Sequence, residues 1–511
     1  MAEVTKPASQ EDSTIGKSEI VVDAVEHNPA LDRKLLRKRD MVLIPITGVL
    51  YTLLFLDRTN IANARALGIG SPDGLEGALD MPANGYNVAL CIFYIPFVLA
   101  EIPANLVLNW NRFPPRYLLG GQMLLLGILG MCQGLTQSYG GLLAVRFLMG
   151  VFEASLPAGA TYLISVYYTK REAALRFAWF FNFALAGPLF SGLLAYAIQK
   201  NVDGAGGYQG WRWVFIIEGL MTILTSLPVL LLTPNLPHAA QSWFLRPHER
   251  DRLLAHLRAS SSSPSSPSPS PSAAPSAATP LRKILLDWRI HTPTLIFFCT
   301  DMTAASIASF APTIVAELGL ASSHTVAQLL TMPIWATGIV FTFVLTGLAA
   351  RWDMRTPFLL LAIASQLGGW SILRAGATAS ASDAAVLRPG ARYAALFLLA
   401  AGTVPQMALL LSWLSANLRG GRQVAVGTAW MTGFGNCANF VAANVFIKSE
   451  APRYVTGATT GLGFTVAGFV LVVGFAAGLV RANKRREEER ARLSDDDEKG
   501  RFDEVRFRYV L

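Results

Sequence analysis

Twelve runs of about twenty or more mostly apolar residues dominate this 511-residue sequence, and each is long enough to cross a bilayer as a helix. They lie near 41–63, 85–108, 117–136, 141–167, 175–199, 212–233, 291–316, 325–350, 356–374, 391–416, 423–447 and 457–481. Six fall within 41–233 and six within 291–481, two stretches of nearly equal length, which reads as two six-helix halves. Barrel strands do not fit, since they would be runs of about ten residues with alternating polarity. A soluble chain does not fit either. Only 15% of residues are charged and 52% are apolar, whereas a soluble domain carries roughly a quarter charged residues. The expected fold class is therefore an all-α integral membrane protein.

The formal charge of +9 is spread in short basic clusters between the apolar runs, the pattern of a protein in a lipid bilayer and not of one that binds nucleic acid. The polar segment 1–40 lacks the basic start and short apolar core of a cleaved signal. Its cluster from Arg33 to Arg39 abuts the first span, so the positive-inside rule places it in the cytosol. Arg112, Arg116, Lys170, Arg171, Arg176, Arg351, Arg355, Arg419, Arg422 and the flank from Arg481 to Arg486 then fall on the same side. Both termini, 1–40 and 482–511, are expected to be cytosolic, in a multi-pass protein of the plasma membrane. The connection 234–290 is expected to be a cytosolic linker. Its middle, Ala259 to Pro280, is almost entirely Ser, Pro and Ala, offers nothing to bury and reads as disordered.

Ionisable groups inside the spans carry the chemical information, because each costs roughly 2.5–3.5 kcal/mol to insert and has to recover that by pairing, by water or by function. The first span places Asp57 beside Arg58, with Asn60 and Asn63 following Asp57 along roughly one face. The fourth span carries Arg146 and Glu153, two turns apart on one face and about 10 Å apart by helix rise, too far for a direct ion pair. Each should pair with another helix, and Asp57 and Arg58 are the natural candidates. Ionised together, these four groups sum to zero charge, so an added anion favours uptake of a proton. A static network that only holds two helices together is the plainer alternative. Glu101 and Glu218 read as interfacial or conformational, and Asp301 either faces the cavity or caps a helix break. Asn182, Gln406, Asn436 and Asn439 bond either a ligand or a neighbouring helix. Gly433 and Gly435 loosen the helix beside the last two.

The four cysteines, Cys91, Cys132, Cys299 and Cys437, all lie in apolar runs, and the six histidines form no close pair, so neither a disulfide framework nor a metal site is expected. No nucleophile–base pair or phosphate loop points to an enzyme, and no cofactor is expected.

The string FLDRTNIANARALG at 55–68 resembles the first-span signature of the fungal allantoate permease and nicotinate permease group, within the anion:cation symporters of the major facilitator superfamily. RFLMGVFEASLPAGATYLISVYYTKREAALRFAWFF at 146–181, GWRWVFIIEG at 210–219, EAPRYVTG at 450–457 and the terminal RFRYVL at 506–511 are similar to the same group. The resemblance covers 31–511 apart from the Ser/Pro stretch. It implies a major facilitator fold and alternating access, with a small organic anion and a proton moving together. It assigns proton coupling to Asp57 and Glu153 and the substrate carboxylate to Arg58, with Arg146 organising the network. It also favours Asn436 or Asn439 in the substrate site, to which Asn60, Asn182 and Gln406 are added as polar candidates.

Three departures from the pattern stand out. The superfamily's cytosolic gating motif normally holds an acid, but Asn109 to Arg116 has none; its candidates are Arg112 and Arg116, with Arg351, Asp353 and Arg355 in the matching loop. The eleventh-span stretch CANFVAANVF at 437–446 is short of glycine. Gly187-Pro188 partly resembles the motif of proton antiporters. The leading expectation is thus proton-coupled uptake of a small organic anion such as allantoate, nicotinate or another carboxylate, by a monomer. The alternatives are an exporter of a small metabolite or toxin, and a nutrient sensor that does not transport.

Overall fold

The computed structural model describes residues 29–109, 114–237, 243–261, 286–319, 323–378, 389–418 and 421–492. Among these the chain is helical, and nine helices are long and apolar enough to cross a membrane. Spans 1, 3, 5 and 6 are Pro29–Leu67, Pro115–Gly134, Lys170–Val202 and Gly210–Leu232. Spans 7 to 10 are Trp288–Glu317, His324–Trp352, Thr356–Thr378 and Pro389–Asn417, and span 12 is Val455–Arg492. The three other apolar runs are span 2, Gly85–Asn109, and two broken helices. Span 4 divides into Tyr139–Glu153 and Leu156–Tyr167, and span 11 into Gly421–Asn436 and Ala438–Val445.

The helices start where the sequence supplies acceptors for their free N–H groups. Ser138 caps span 4, Asp287 caps span 7 and Ser323 caps span 8. Thr169 and Glu172 cap span 5 reciprocally. Span 4 breaks just after Glu153, where Ser155 gives way to Leu156-Pro157; proline is tolerated in a first helical turn because its missing N–H has no partner to lose there.

Spans 3 and 6 pack backbone against backbone. A Cβ on Gly219 would stand 2.5 Å from the Met131 nitrogen, and one on Gly127 would stand 2.7 Å from the Ile223 nitrogen. Small residues at such a seam are how helices gain contact when lipid removes the hydrophobic drive between them.

The two halves are joined unevenly. At the end remote from the chain termini they share one core. It unites Ile61, Tyr86 and Leu185 of the N-terminal half with Phe310, Ile314, Ala327 and Phe446 of the C-terminal half. Polar bonds cross there as well: the Tyr86 hydroxyl donates to the Ser309 carbonyl at 2.8 Å, and Gln328 Nε2 donates to the Asn63 carbonyl at 3.3 Å. Lys448 Nζ meets Glu76 Oε2 at 2.5 Å, and Glu76 also holds Arg65 at 2.8 Å. At the linker end each half has its own core, one built around Leu43, Tyr167 and Leu253, the other around Leu359, Trp413 and Leu479. The described state is thus closed at the Glu76–Lys448 end.

Two expectations change at the linker end. Span 1 begins at Pro29 and span 12 runs to Arg492, so each extends about three turns past its apolar run. The first part of the linker is also no loose tether. Pro247–Ser261 is a helix clamped to the N-terminal half. Glu249 binds Lys38 at 2.6 Å, Arg252 binds Asp32 at 2.7 Å, and Phe244, Leu245 and Leu253 are buried in the same core as Leu35. Its sequence hid this because the anchoring partners lie more than 200 positions away. The rest of the Ser/Pro stretch lies outside the described residues.

Candidate functional site

Span 4 can present its charges inward because Gly150 lets it lie against span 2: a Cβ there would stand 2.1 Å from the Phe93 carbonyl oxygen. Arg146 and Glu153, seven residues apart, therefore face the interior together, at 2% and 1% exposure. Span 1 meets them with Asp57 and Arg58. Arg58 Nε donates to Glu153 Oε1 at 2.5 Å. The guanidinium is held over the Phe97 ring at 4.7 Å and the Phe55 ring at 5.2 Å, positions that favour a cation. Arg146 lies near Asp57 and Glu153, with its guanidinium carbon 6.0 Å from the Phe93 ring, but its Nε and Nη2 have no hydrogen-bond partner among the described residues. Asp57 accepts from Asn60 Nδ2 at 3.4 Å through one oxygen, and the Thr222 hydroxyl lies beside the carboxyl.

The C-terminal half answers with amides. Asn439 Nδ2 donates to Asp301 Oδ2 at 3.1 Å and to the Asn436 carbonyl at 2.9 Å, so the break in span 11 is tied to span 7. Asp301 and Glu101 both lie within electrostatic reach of Arg58. Glu101, on span 2, also stands 3.2 Å from the Cβ position of Gly433 on span 11. Asp301 therefore sits within span 7, bonded to the break in span 11, and Glu101 faces span 11. Tyr94 completes the ring, within reach of Arg58, Arg146, Glu153 and Asp301, and edge-on to Phe440 of span 11. A tyrosine inside an apolar run carries no charge to betray it, and the sequence reading missed it.

Other candidates lie elsewhere or have local partners. Gln406 Oε1 accepts from Gln366 Nε2 at 2.9 Å, which places it in the seam of spans 9 and 10. Asn436 donates to the Thr432 carbonyl of its own helix at 2.9 Å. Asn182 is half-buried on span 5, in the stretch where Phe180 stacks on Tyr51 and the Phe183 carbonyl accepts from Thr52. Of the gating candidates, Arg355 pairs with Asp353 at 2.7 Å, Arg116 stacks on the adjacent Tyr117 at 4.6 Å and Arg351 is exposed. Arg112 lies outside the described residues. Gly187 has a packing reason to be glycine, since a Cβ there would stand 2.5 Å from the Thr52 carbonyl oxygen.

Helices crossing a membrane, a shared core at one end only and a charged centre between the halves are the features of a transporter that works by rocking two halves about a buried site. The sequence agrees: the model of the Major Facilitator Superfamily matches residues 48–443, and the chain belongs to that family. It is 30% identical to the MFS-type transporter efuF of Hormonema carpetanum over 92% of this chain and 90% of that one. It is 29% identical to the major facilitator-type transporter hxnP of Emericella nidulans over 88% of this chain and 86% of that one. Among solved structures, a D-xylose-proton symporter superposes with a TM-score of 0.60 at 15% identity, covering 84% of this chain and 97% of that one. A bacterial homologue of the human lysosomal transporter Spinster, inward-facing and unoccupied, gives 0.55 at 17% identity over 86% and 96%. The protein is a multi-pass membrane transporter and not an enzyme.

Proposed function

We propose that this transporter carries a small organic anion together with protons, into the cytosol, across the plasma membrane. The observation that supports this reading is the buried Arg58–Glu153 pair at 2.5 Å. A planar guanidinium binds a substrate carboxylate with two parallel bonds. An anion arriving at Arg58 competes with Glu153 for it. The displaced carboxylate then sits buried without its cation, a state that proton uptake relieves. Substrate binding and proton binding thereby become one event. Arg146, with two nitrogens unpartnered among the described residues, is the second cation available to the anion or to Glu153. Asp57 shares the proton load, and the amides of Asn436 and Asn439 line the opposite wall.

The same reading makes the linker end cytosolic, so the Glu76–Lys448 end is the outer seal and the described state opens inward. The resemblance to the allantoate and nicotinate permease group narrows the substrate to allantoate-like ureides, nicotinate-like acids or small carboxylates. The test is uptake of a radiolabelled panel of these acids by transporter-deficient yeast, with and without a protonophore. Protonophore-sensitive accumulation of one of them is the expected result; efflux of a preloaded acid instead would identify an exporter.

A further inference from the structure

Glu218 is left over from this scheme, and its surroundings are unusual. It lies on span 6, roughly 12 Å along the helix from Gly210, and is 0% exposed. Its neighbour Gly219 packs into the backbone of span 3, and this turns the glutamate towards span 1. There it meets Asp57, with Asn60 and Thr222 flanking the two carboxyls. The two carboxyls are fully enclosed, and among the described residues the only neutral donors beside them are the Asn60 amide, next to Glu218, and the Thr222 hydroxyl, next to Asp57. The carboxyl oxygens can only accept when ionised, no cation bonds them among the described residues, and Thr222 is only 1% exposed.

The charges around this space do not cancel. Span 1 contributes Asp57, and span 4 contributes Glu153 and Arg146, which face Asp57. Arg146 does not bond to Asp57, and Arg58 is engaged by Glu153. No charged side chain of span 3 or span 5, the other helices against span 6, acts on Glu218 among the described residues. Two buried carboxylates without a bonded cation cannot both stay ionised; the lower-energy state holds one proton between them, as in carboxyl dyads generally.

We propose that Asp57 and Glu218 form a second proton-binding site, separate from the Arg58–Glu153 pair, in which one proton is shared across the seam of spans 1 and 6. The proton converts one carboxyl into a donor and removes one of two like charges that no bonded cation balances. This inference rests on the proposed proton coupling, but it concerns a proton that binds whether or not a substrate is present.

The test is infrared difference spectroscopy of the full-length chain in liposomes, titrated from about pH 5 to about pH 9 across the range in which buried carboxyls exchange protons. The readout is the C=O stretch of a protonated carboxylic acid. The wild type should show a buried protonated carboxyl at pH 7 that is lost in Glu218→Gln, where Arg146 then holds the solitary Asp57 ionised; in Asp57→Asn the solitary Glu218, with no cation beside it, should keep its proton and the band should move. Glu153→Gln should keep the band. Glu218→Asp, which retains the acid on a shorter stem, should move the band without abolishing it, and so separates loss of the proton from loss of the fold. An unchanged band in Glu218→Gln overturns the proposal, as does a wild type with no such band at pH 7. The titration is repeated with sodium chloride in place of choline chloride. A band removed by sodium at constant pH would also overturn it, by giving the oxygens to a metal cation. Because no substrate is needed, failure of the anion symport reading leaves this measurement intact, and a negative result here leaves coupling through Glu153 standing.

Discussion

The two halves of this transporter use different polar chemistry at the same depth. The N-terminal half concentrates Asp57, Arg58, Arg146, Glu153 and Glu218 at the meeting of spans 1, 4 and 6, all at or below 14% side-chain exposure. The C-terminal half supplies one buried acid, Asp301, and otherwise holds neutral groups: Asn436 and Asn439 at the break in span 11, and the Gln366–Gln406–Thr403 ladder between spans 9 and 10. Both halves break a helix at the centre, but one break follows Glu153 whereas the other lies between two asparagines. A charge buried beside a partner of opposite sign stores energy that a proton or an anion can release. A buried amide bonded to its neighbour fixes shape and responds to neither. Under the proposed function this difference becomes a division of labour, with energy coupling in the first half and substrate positioning in the second.

The largest effect expected from breaking this contrast is that of Glu153→Gln. It removes the carboxyl that competes with substrate for Arg58, so concentrative uptake should be abolished, while exchange of labelled for unlabelled substrate persists. Normal accumulation with a normal pH profile in that variant would remove Glu153 from the coupling step. Arg58→Lys comes next. Lysine keeps the charge but not the two-pronged donor, and apparent affinity should fall at least tenfold, or about 1.4 kcal/mol. Initial-rate kinetics at matched surface level would check it.

Asn439→Ala sharpens the other side of the contrast. It deletes one hydrogen bond to the Asp301 carboxyl, about 1 kcal/mol, so KM should rise severalfold while the response to protonophore stays as in the wild type. A shift in that response would show that the C-terminal half also carries coupling. The smallest effect belongs to the seal. Burial pushes the Glu76 carboxyl up, but Arg65 and Lys448 outweigh it and hold the group below its ordinary value. Its stabilising effect is therefore full above the unfolded value near pH 4.3 and is lost only as the pH falls through the lower folded value. Glu76→Gln should lower the melting temperature slightly, by a similar amount at pH 5 and pH 7, as expected of a partly exposed ion pair. A pH-dependent loss across that range would place a titrating coupling group at the seal.

Much of this arrangement is written openly in the sequence. An Asp-Arg pair or a lone Glu in an apolar run stands out, and helix periodicity already forbids a direct Arg146–Glu153 bond. The choice of partner is tertiary. Nothing local says that Arg58 takes Glu153 while Arg146 stays unbonded beside Asp57, because the outcome depends on Gly150 seating span 4 against span 2. Glu218 was visible as a letter, but its meaning depends on Gly219 pressing into span 3 and turning the acid inward. Gln406 illustrates the opposite case, since its partner Gln366 is forty residues away and makes it a seam residue. The docked helix Pro247–Ser261 was equally hidden, because its low apolar content reads as linker until Asp32, Lys38 and Leu35 are seen beneath it.

Whether substrate and proton cross together in one direction is decided in proteoliposomes of fixed orientation with an imposed pH gradient and no substrate gradient. The probe is the labelled acid that the uptake panel identifies. The acid should accumulate on the side towards which protons flow, and Glu153→Gln should abolish this accumulation. Movement of the same acid against the proton flow would contradict symport and make the protein an exporter.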